Sequence, residues 1–330
     1  MKVYRSIAEL MGEMPPAIPR TVAAIGNFDG VHRGHQQIIG RVLDRARALG
    51  AQAMAVTFDP HPLAVLRPAQ APKLITPIAE RLRLLEATGL DATLVIPFTR
   101  ELSMQTPREF AERVLCGALR AVEVHEGDTF RFGHDAAAGI AELRALGAEL
   151  GFGVVSHGSL KVRGIVVSSR EVRRRIVAGQ LGVARALLGR PFSILSRQAR
   201  GRGVGKQLTT PTINLAPYND LLPPHGVYVT RVRIGEGPGA PGFSAWFNAV
   251  TNAGMRPTFE GAGFAIESHL LDGPPHLIGR LEMDDSTPIE VCFLTRLREE
   301  RRFASPEALK EQILRDVGRA QRYFRRARLH

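Results

Sequence analysis

Ten residues, Gly26-Asn27-Phe28-Asp29-Gly30-Val31-His32-Arg33-Gly34-His35, constrain this chain more than any other stretch. They follow a short apolar run at 22–25 and precede a segment at 36–49 that carries Ile38, Val42, Ala46 and Leu49 at helical spacing. The run is small, β-branched and continuous, the pattern of a strand buried on both faces. Gly50 supplies a left-handed stop for the helix. The ten residues therefore form a strand-to-helix turn, with His32 and His35 near a helix N-terminus whose unpaired amides attract anions. Glycines at 26, 30 and 34 let the backbone approach a phosphate chain.

Two histidines three residues apart also fit a metal pair or a purely structural turn. A metal site of this kind needs further Cys, His or carboxylate ligands. The two cysteines, Cys116 and Cys292, stand far apart and show no ligand spacing. Phosphate binding is the favoured reading of the turn.

The first half of the chain alternates strand-like and helix-like segments. Strands are expected at 53–58, 93–98, 122–125 and 153–155. One helix is expected to open with Thr76 as N-cap and Pro77 at its first position, to bury Ile78, Leu82 and Leu85, and to end at Gly89. Another is expected over 107–115. This β-α-β succession predicts an open parallel sheet with flanking helices, whose ligands sit beyond the strand carboxyl ends. Past Leu187-Leu188-Gly189-Arg190-Pro191 the character changes. Strand-like segments at 227–232, 244–250, 264–271 and 289–294, broken by Gly and Pro, predict an antiparallel barrel. A helix capped by Ser305 and started by Pro306 is expected to close it, with Leu309, Ile313, Val317 and Phe324 on one face. The glycine-rich run at 235–242 reads as a hairpin loop. Two domains are thus expected, at 1–187 and 188–330, and 330 residues is ample length for two cores.

The formal net charge of +12 favours anionic partners. Aromatic content of 6% offers few stacking platforms, which argues against a single-strand nucleic-acid binder. The clusters Arg173-Arg174-Arg175 and Arg325-Arg326-Ala327-Arg328 read as solvated faces, so polyphosphate substrates are preferred to nucleic acid. No apolar run reaches the ~18 residues that cross a membrane. No signal peptide is recognised, and two unpatterned cysteines fit a reducing cytoplasm.

Further segments carry a resemblance. The turn at 26–35 is similar to the nucleotidyltransferase signature in the form used by bacterial bifunctional riboflavin kinase/FMN adenylyltransferases. Phe58-Asp59-Pro60-His61-Pro62 puts His61 at the same sheet end. Gly127-Asp128-Thr129-Phe130-Arg131-Phe132-Gly133 resembles the family's Gly-x-Asp/Asn-Phe-Arg-Phe-Gly, with Thr129 in place of the acid or amide. Ser168-Ser169-Arg170-Glu171-Val172-Arg173 resembles its Ser-Ser-Thr-x-Ile-Arg, with Arg170 in place of Thr. The resemblance implies ATP and phosphate contacts from Gly26, Phe28, Asp29, Gly34, His61, Ser168, Ser169 and Arg173. It implies chemistry at His32 and His35, and FMN-side contacts at Thr129 and Arg131. Adenylyl transfer to a phosphate needs no strong base. It needs neutralisation of charge on the α-phosphate and departing pyrophosphate, which imidazoles, Arg173, backbone amides and Mg²⁺ supply.

In the second half, Pro211-Thr212-Ile213-Asn214 resembles the riboflavin-kinase Pro-Thr-Ala-Asn. Two residues apart on an extended chain, Thr212 and Asn214 point to one side, placed to hold Mg²⁺ against ATP. Asn252-Ala253-Gly254-Met255-Arg256-Pro257-Thr258-Phe259 and Glu267-Ser268-His269-Leu270-Leu271-Asp272 resemble two further kinase segments. Riboflavin's hydroxyl is a poor nucleophile, and by resemblance Glu267 is the base that takes its proton. The run 201–206 is not a Walker A loop, because Arg200 and Gln207 stand at its fixed positions. By resemblance it lies over the ATP phosphates, with contacts from Gly201, Gly205 and Lys206.

The resemblance spans residues 25–316 with its motifs in family order. It implies an enzyme that converts riboflavin to FMN and FMN to FAD with ATP, releasing pyrophosphate. Two alternatives stand beside it: a kinase with impaired adenylyl transfer, given Thr129 and Arg170, or a basic nucleic-acid-binding protein on the same fold. Oligomeric state stays open.

Overall fold

A computed structural model describes residues 1–12, 20–198, 212–217, 221–235, 243, 245–258, 261–272, 287–301 and 303–327. Contacts divide the chain into two compact units, Met1–Ser169 and Arg170–His330.

The first unit is built on a six-stranded parallel sheet. Its strands are β1 (Lys2–Tyr4), β2 (Thr21–Ile25), β3 (Gln52–Asp59), β4 (Ala92–Pro97), β5 (Ala121–Gly127) and β6 (Gly153–His157), in the order β1-β4-β3-β2-β5-β6. All five residues of β2 are buried, as its unbroken apolar run requires. Helices cover both faces. The helix Arg33–Leu49 packs Ile39, Val42 and Ala46 with Val22, Ala24, Ala53 and Ala55. On the other face, Val114, Leu115 and Ala118 of the helical run after Pro107 pack with Ala23, Ile25, Met54 and Leu94. Chain order reverses between β2 and β5: β3 and β4 lie to one side of β2, β5 and β6 to the other. The carboxyl ends of β2 and β5 thus flank a topological switch point, the place where such sheets open a crevice. A two-stranded ribbon, β7 (Lys161–Val162) with β8 (Ile165–Val166), follows β6.

In the second unit, β9 (Phe192–Gln198), β10 (Thr212–Pro217), β11 (Gly226–Ile234), β12 (Phe247–Thr258), β13 (Gly261–Leu270) and β14 (Pro288–Arg298) form a closed antiparallel barrel in the order β10-β13-β12-β11-β14-β9. Pairing of β9 with β10 completes the ring, so no edge is left open. Aromatic rings fill part of the interior: Tyr228 meets Phe293 edge-on and Phe192 tilts against Phe293. Beside them runs a buried row of hydroxyls. Thr230 Oγ1 lies 2.6 Å from Thr251 Oγ1, which lies 2.8 Å from Ser268 Oγ. The helix Pro306–Ala327 covers the outside of β11 and β12, packing Ala320 and Phe324 on Val227, Val229 and Val250.

The expected parallel sheet and antiparallel barrel are both present. Four local expectations change. Leu49 is exposed and Ile39, not Ile38, is buried with Val42 and Ala46, in a helix that begins at Arg33 rather than 36. Thr76 does not cap the following helix; Pro77 occupies the N-cap and the Thr76 hydroxyl bonds the 26–35 turn instead. The 107 helix continues to Ala118 in π-type bonding. In the closing helix Ser305 does cap, its hydroxyl accepting from Ala308 N–H, but the buried face is Gln312, Asp316, Ala320 and Phe324, with Leu309 exposed. That face carries polar residues because Asp316 accepts from Arg298 Nε at 2.8 Å and from Gln312 Nε2 at 2.9 Å. The loop expected at 235–242 lies largely outside the described residues.

The hydroxyl row gives a stability test. Thr251→Val keeps shape but leaves Thr230 and Ser268 without their shared partner, a loss of about 2 kcal/mol. The chain's one tryptophan, Trp246, belongs to the second unit, so urea unfolding followed by its fluorescence reads this unit. A shift below ~0.5 kcal/mol would mean that the row contributes nothing beyond packing.

Candidate functional site at the sheet switch point

Beyond the ends of β2 and β5 lies a cavity of about 310 Å³, lined by Gly26, Phe28, His32, Gly34 and His35 from the turn, Glu126 to Phe130 after β5, His157 to Leu160 after β6, and Val167 to Ser169. Every lining residue belongs to the first unit.

The turn is held by one buried carboxylate. Asp29, 1% exposed, accepts from Ile75 N–H and Thr76 N–H, both at 3.0 Å, and from the Thr76 hydroxyl at 3.2 Å. That hydroxyl in turn accepts from Gly30 N–H at 3.0 Å. On the other side, the Ser169 hydroxyl donates to the Asp29 carbonyl at 2.8 Å. The clamp fixes backbone that is otherwise unfavourable: Phe28 and Val31 both have positive φ, of 46° and 37°. For a β-branched residue such as Val31 this is a true outlier, tolerated because the surroundings over-determine it. Gly30 has φ 84°, and a Cβ there would meet Ile75 at 3.0 Å, so glycine is required.

The turn delivers His32 as the N-cap of the Arg33–Leu49 helix, its Nδ1 accepting from His35 N–H at 3.3 Å. The two imidazoles stack with centroids 3.5 Å apart, and Phe28 meets His35 edge-on. Gly34 makes room for the stack, since a Cβ there would sit 3.3 Å from the His32 ring. Burial first, then His32 and the Arg81 guanidinium, push His35 well below the usual histidine range. At neutral pH His35 is therefore a neutral donor. A helix N-terminus with a ring N–H beside it can receive an anion without a fixed cation.

Not all expected residues meet here. Gly26, Phe28, Thr129, Ser168 and Ser169 line the cavity together with His32, Gly34 and His35. Asp29 does not; its carboxylate braces the turn from behind. His61, 9% exposed, caps the short helix Pro62–Leu66 and is not a lining residue. Arg131 lines a neighbouring cavity of about 620 Å³ that shares Asp128 and Phe130 with the first. Arg173 lies on the helix Ser169–Val177 and falls in the second unit.

In the second unit, the register of β10 with β13 sets Asn214 opposite Glu267 and Thr212 opposite His269. Asn252 of β12 lies opposite Glu267 on its other side. Glu267 is half-buried, and burial lowers the neighbouring His269. Gly201, Gly205 and Lys206 lie outside the described residues.

Three residues escaped the sequence reading. Arg81 is fully buried; it donates to the Phe58 carbonyl at 3.2 Å and the Thr57 hydroxyl at 3.4 Å, while its Nε and Nη2 have no partner in the described structure. A signal existed, because Arg81 falls on the apolar face of Ile78, Leu82 and Leu85. Glu126 and His157 sit at strand ends on the cavity wall, where neither spacing nor motif marks them. Burial raises the Glu126 carboxyl well above the usual range; it accepts from Ile25 N–H at 2.6 Å, which opposes the shift only in part.

A raised folded-state pKa gives stability that is complete below the unfolded value and is lost as pH climbs toward the folded one. Glu126→Gln keeps the acceptor and cannot ionise. Its stability should match wild type near pH 4 and then exceed it by about 1.4 kcal/mol more for each pH unit across that window. Urea unfolding over a pH series checks this. A pH-independent difference would mean that Glu126 is ionised in the fold.

Comparison with known proteins follows the same division. Residues 15–171 match the FAD synthetase family and residues 188–324 the riboflavin kinase family. A bifunctional riboflavin kinase/FMN adenylyltransferase of Pseudomonas fluorescens is 38% identical over 300 residues, 91% of each chain. One of Escherichia coli K12 is 35% identical over 304 residues, 92% of each chain. A crystal structure described as a macrolide-efflux protein from Streptococcus pneumoniae has the same fold, with TM-score 0.80, 23% identity, and 97% and 98% of the two chains covered. With both family matches in order and relatives aligned over nine-tenths of its length, the chain belongs to the bifunctional riboflavin kinase/FMN adenylyltransferase family.

Proposed function

We propose that the switch-point cavity is where ATP adenylates FMN, and that the β10–β13 strand pair carries the phosphorylation of riboflavin. The carrying observation is the turn itself: a strained, carboxylate-braced loop that sets two stacked imidazoles on a helix N-terminus at the cavity wall. The chain converts riboflavin to FMN and FMN to FAD, with ATP as donor in both steps and pyrophosphate leaving in the second.

In the first site the FMN phosphate oxygen attacks the α-phosphorus of ATP, and the α-phosphorus–oxygen bond to pyrophosphate breaks. FMN phosphate is already ionised, so the protein stabilises charge rather than removing a proton. The Arg33–Leu49 amides and the N–H groups of His32 and His35 receive the phosphates. Backbone at Gly26 and Phe28 and the hydroxyls of Ser168 and Ser169 line the path, and the family resemblance of 168–173 adds Arg173 to the phosphate set. Asp29 acts through the backbone, and His61 through the adjoining strand end. Thr129 and Arg131 serve the flavin side.

In the second site Glu267 takes the proton of the riboflavin hydroxyl as it attacks the γ-phosphorus of ATP. Thr212 and Asn214 offer neutral oxygen donors on a strand whose register meets Glu267, a donor set suited to a hard cation shared with phosphates. They would hold Mg²⁺, which supplies charge neutralisation to the transferring phosphoryl group. Gly201, Gly205 and Lys206 belong to the loop over ATP. The two activities are assigned to residues 1–187 and 188–330. The contact division falls earlier, at 169/170, because the helix Leu181–Leu188 packs on β9 and β14. Among the described residues no helix is long and apolar enough to cross a membrane. Neither Cys116 nor Cys292 is in a disulfide, in keeping with a cytoplasmic enzyme.

The two sites should fail separately. His32→Ala should abolish FAD formation from supplied FMN while FMN formation from riboflavin continues. Glu267→Gln should slow riboflavin phosphorylation by about 10²-fold or more and spare adenylation of supplied FMN. Chromatography of flavin products reads both. Equal loss of the two activities in either variant, or more than half the kinase turnover kept without Glu267, would remove these assignments.

A further inference from the structure

At the end of β6, His157 faces the cavity with a row of polar groups behind it. His157 Nε2 lies 2.9 Å from His125 Nδ1 on β5. His125 Nε2 lies 2.7 Å from Glu123 Oε1, and Arg45 grips both oxygens of Glu123 at 2.7 and 2.8 Å. His125 is 2% exposed, so the row is built into the sheet and not draped over it. Its chemistry fixes the tautomers. A carboxylate only accepts, so with both imidazoles neutral His125 Nε2 carries its proton toward Glu123 and Nδ1 is left as an acceptor. His157 must then donate from Nε2, and its Nδ1 carries a lone pair. That atom makes no hydrogen bond to a described residue. One added proton reverses the pattern. Whether it settles on His125 or on His157, Nδ1 of His157 becomes an N–H.

The rest of the cavity indicates what meets this atom. Phosphates belong at the helix N-terminus, beside His32 and His35. Apolar side chains line both ends of the cavity, Phe28 at the turn and Ile38 and Leu160 beyond it. Ile38 lies near Gly127, and Gly127 is the cross-strand partner of His157. A nucleotide with its phosphates at the turn thus lays its base among apolar side chains at the His157 end. The geometry points to His157 as a specificity-determining residue of the adenylyl-transfer site, its fixed Nδ1 lone pair accepting a hydrogen bond from the amino group of adenine. This rests on the assignment of the cavity to ATP made above. Adenine offers a donor where guanine and hypoxanthine offer an acceptor, so a fixed acceptor selects it, and a fixed donor at the same place does not.

The charged groups around His157 are His125 and Glu123 on β5, Arg41 and Arg45 on the Arg33–Leu49 helix, and Asp128 after β5. Burial, His125 and Arg41 lower His157 and Asp128 raises it, with a net lowering, which favours an unprotonated His157 ring. His32 and His35 also line this cavity. They act on the phosphates, so their effect cancels between two triphosphates that differ only in the base.

The experiment compares ATP with purine riboside triphosphate, which lacks the amino group, as adenylyl donors to FMN. For the wild-type enzyme near pH 8 the ratio of kcat/KM values should be about 10 in favour of ATP, one hydrogen bond's worth. It should fall toward unity as pH drops to about 5. In His157→Phe it should be near unity at both pH values. A wild-type ratio that is already near unity, or does not change with pH, overturns the inference without requiring any variant to fold. A ratio kept in His157→Phe overturns it too, as does a loss seen only as a raised KM for FMN, which would put the flavin there instead. If His32→Ala still makes FAD, the failure lies in the assignment of the cavity and not in the reading of His157.

Discussion

The first unit depends on the burial of one ionised carboxylate. Asp29 lies in the middle of the ten-residue turn, and its three hydrogen bonds to Ile75 and Thr76 tie that turn to the segment entering the Ile78–Glu86 helix. A charge so deeply buried is tolerable only when it is fully hydrogen-bonded and has countercharge nearby. Backbone amides meet the first requirement. Arg81 meets the second, close enough for the carboxylates of Asp29 and Asp59 to offset part of its own burial. Everything at the cavity mouth follows from this anchor: the positive φ of Phe28 and Val31, the placement of His32 as N-cap, and the stack of His32 on His35.

The cavity that results is less charged than the composition implies. The net charge of +12 foretells an anion site. Yet the cavity wall holds a neutral His35, a Glu126 whose carboxyl is raised well above the usual range and a lowered His157. Burial sets all three. Donors in a dry cavity act on a phosphate with less competition from water, so neutral N–H and O–H groups are effective there. In the proposed site the phosphates would bring charge, and the cavity would answer with oriented dipoles.

Much of this was legible in the sequence. The parallel sheet and the barrel followed from the alternation of runs in each half, and the turn at 26–35, which lines the switch-point cavity, could be read because glycine spacing and a strand–helix junction are local properties. What could not be read is what depends on contacts between distant segments. Thr76 looked like an N-cap because Thr-Pro before an apolar period usually is one, but Asp29, 47 positions away, claims its hydroxyl. Asp29 looked like a ligand contact because it stands in the signature, whereas burial turned it inward. Strands β1 and β9 passed unread, β1 because three residues carry no period. Glu126 and His157 had no motif; only the pairing of β5 with β6 brings them to the cavity. In the closing helix the apolar pattern named Leu309, and the ion pair of Arg298 with Asp316 shifted the buried face.

The most direct test of the brace is the replacement Asp29→Ala, with riboflavin and ATP supplied and the flavin products separated over time. The charge-assisted bonds are worth about 1.5–3 kcal/mol each, so FAD formation should fall by about 10²-fold or more while FMN accumulates at the wild-type rate. FAD formation within about twofold of wild type would show that the turn keeps its shape without Asp29, and would contradict the dependence of the site on this one buried carboxylate.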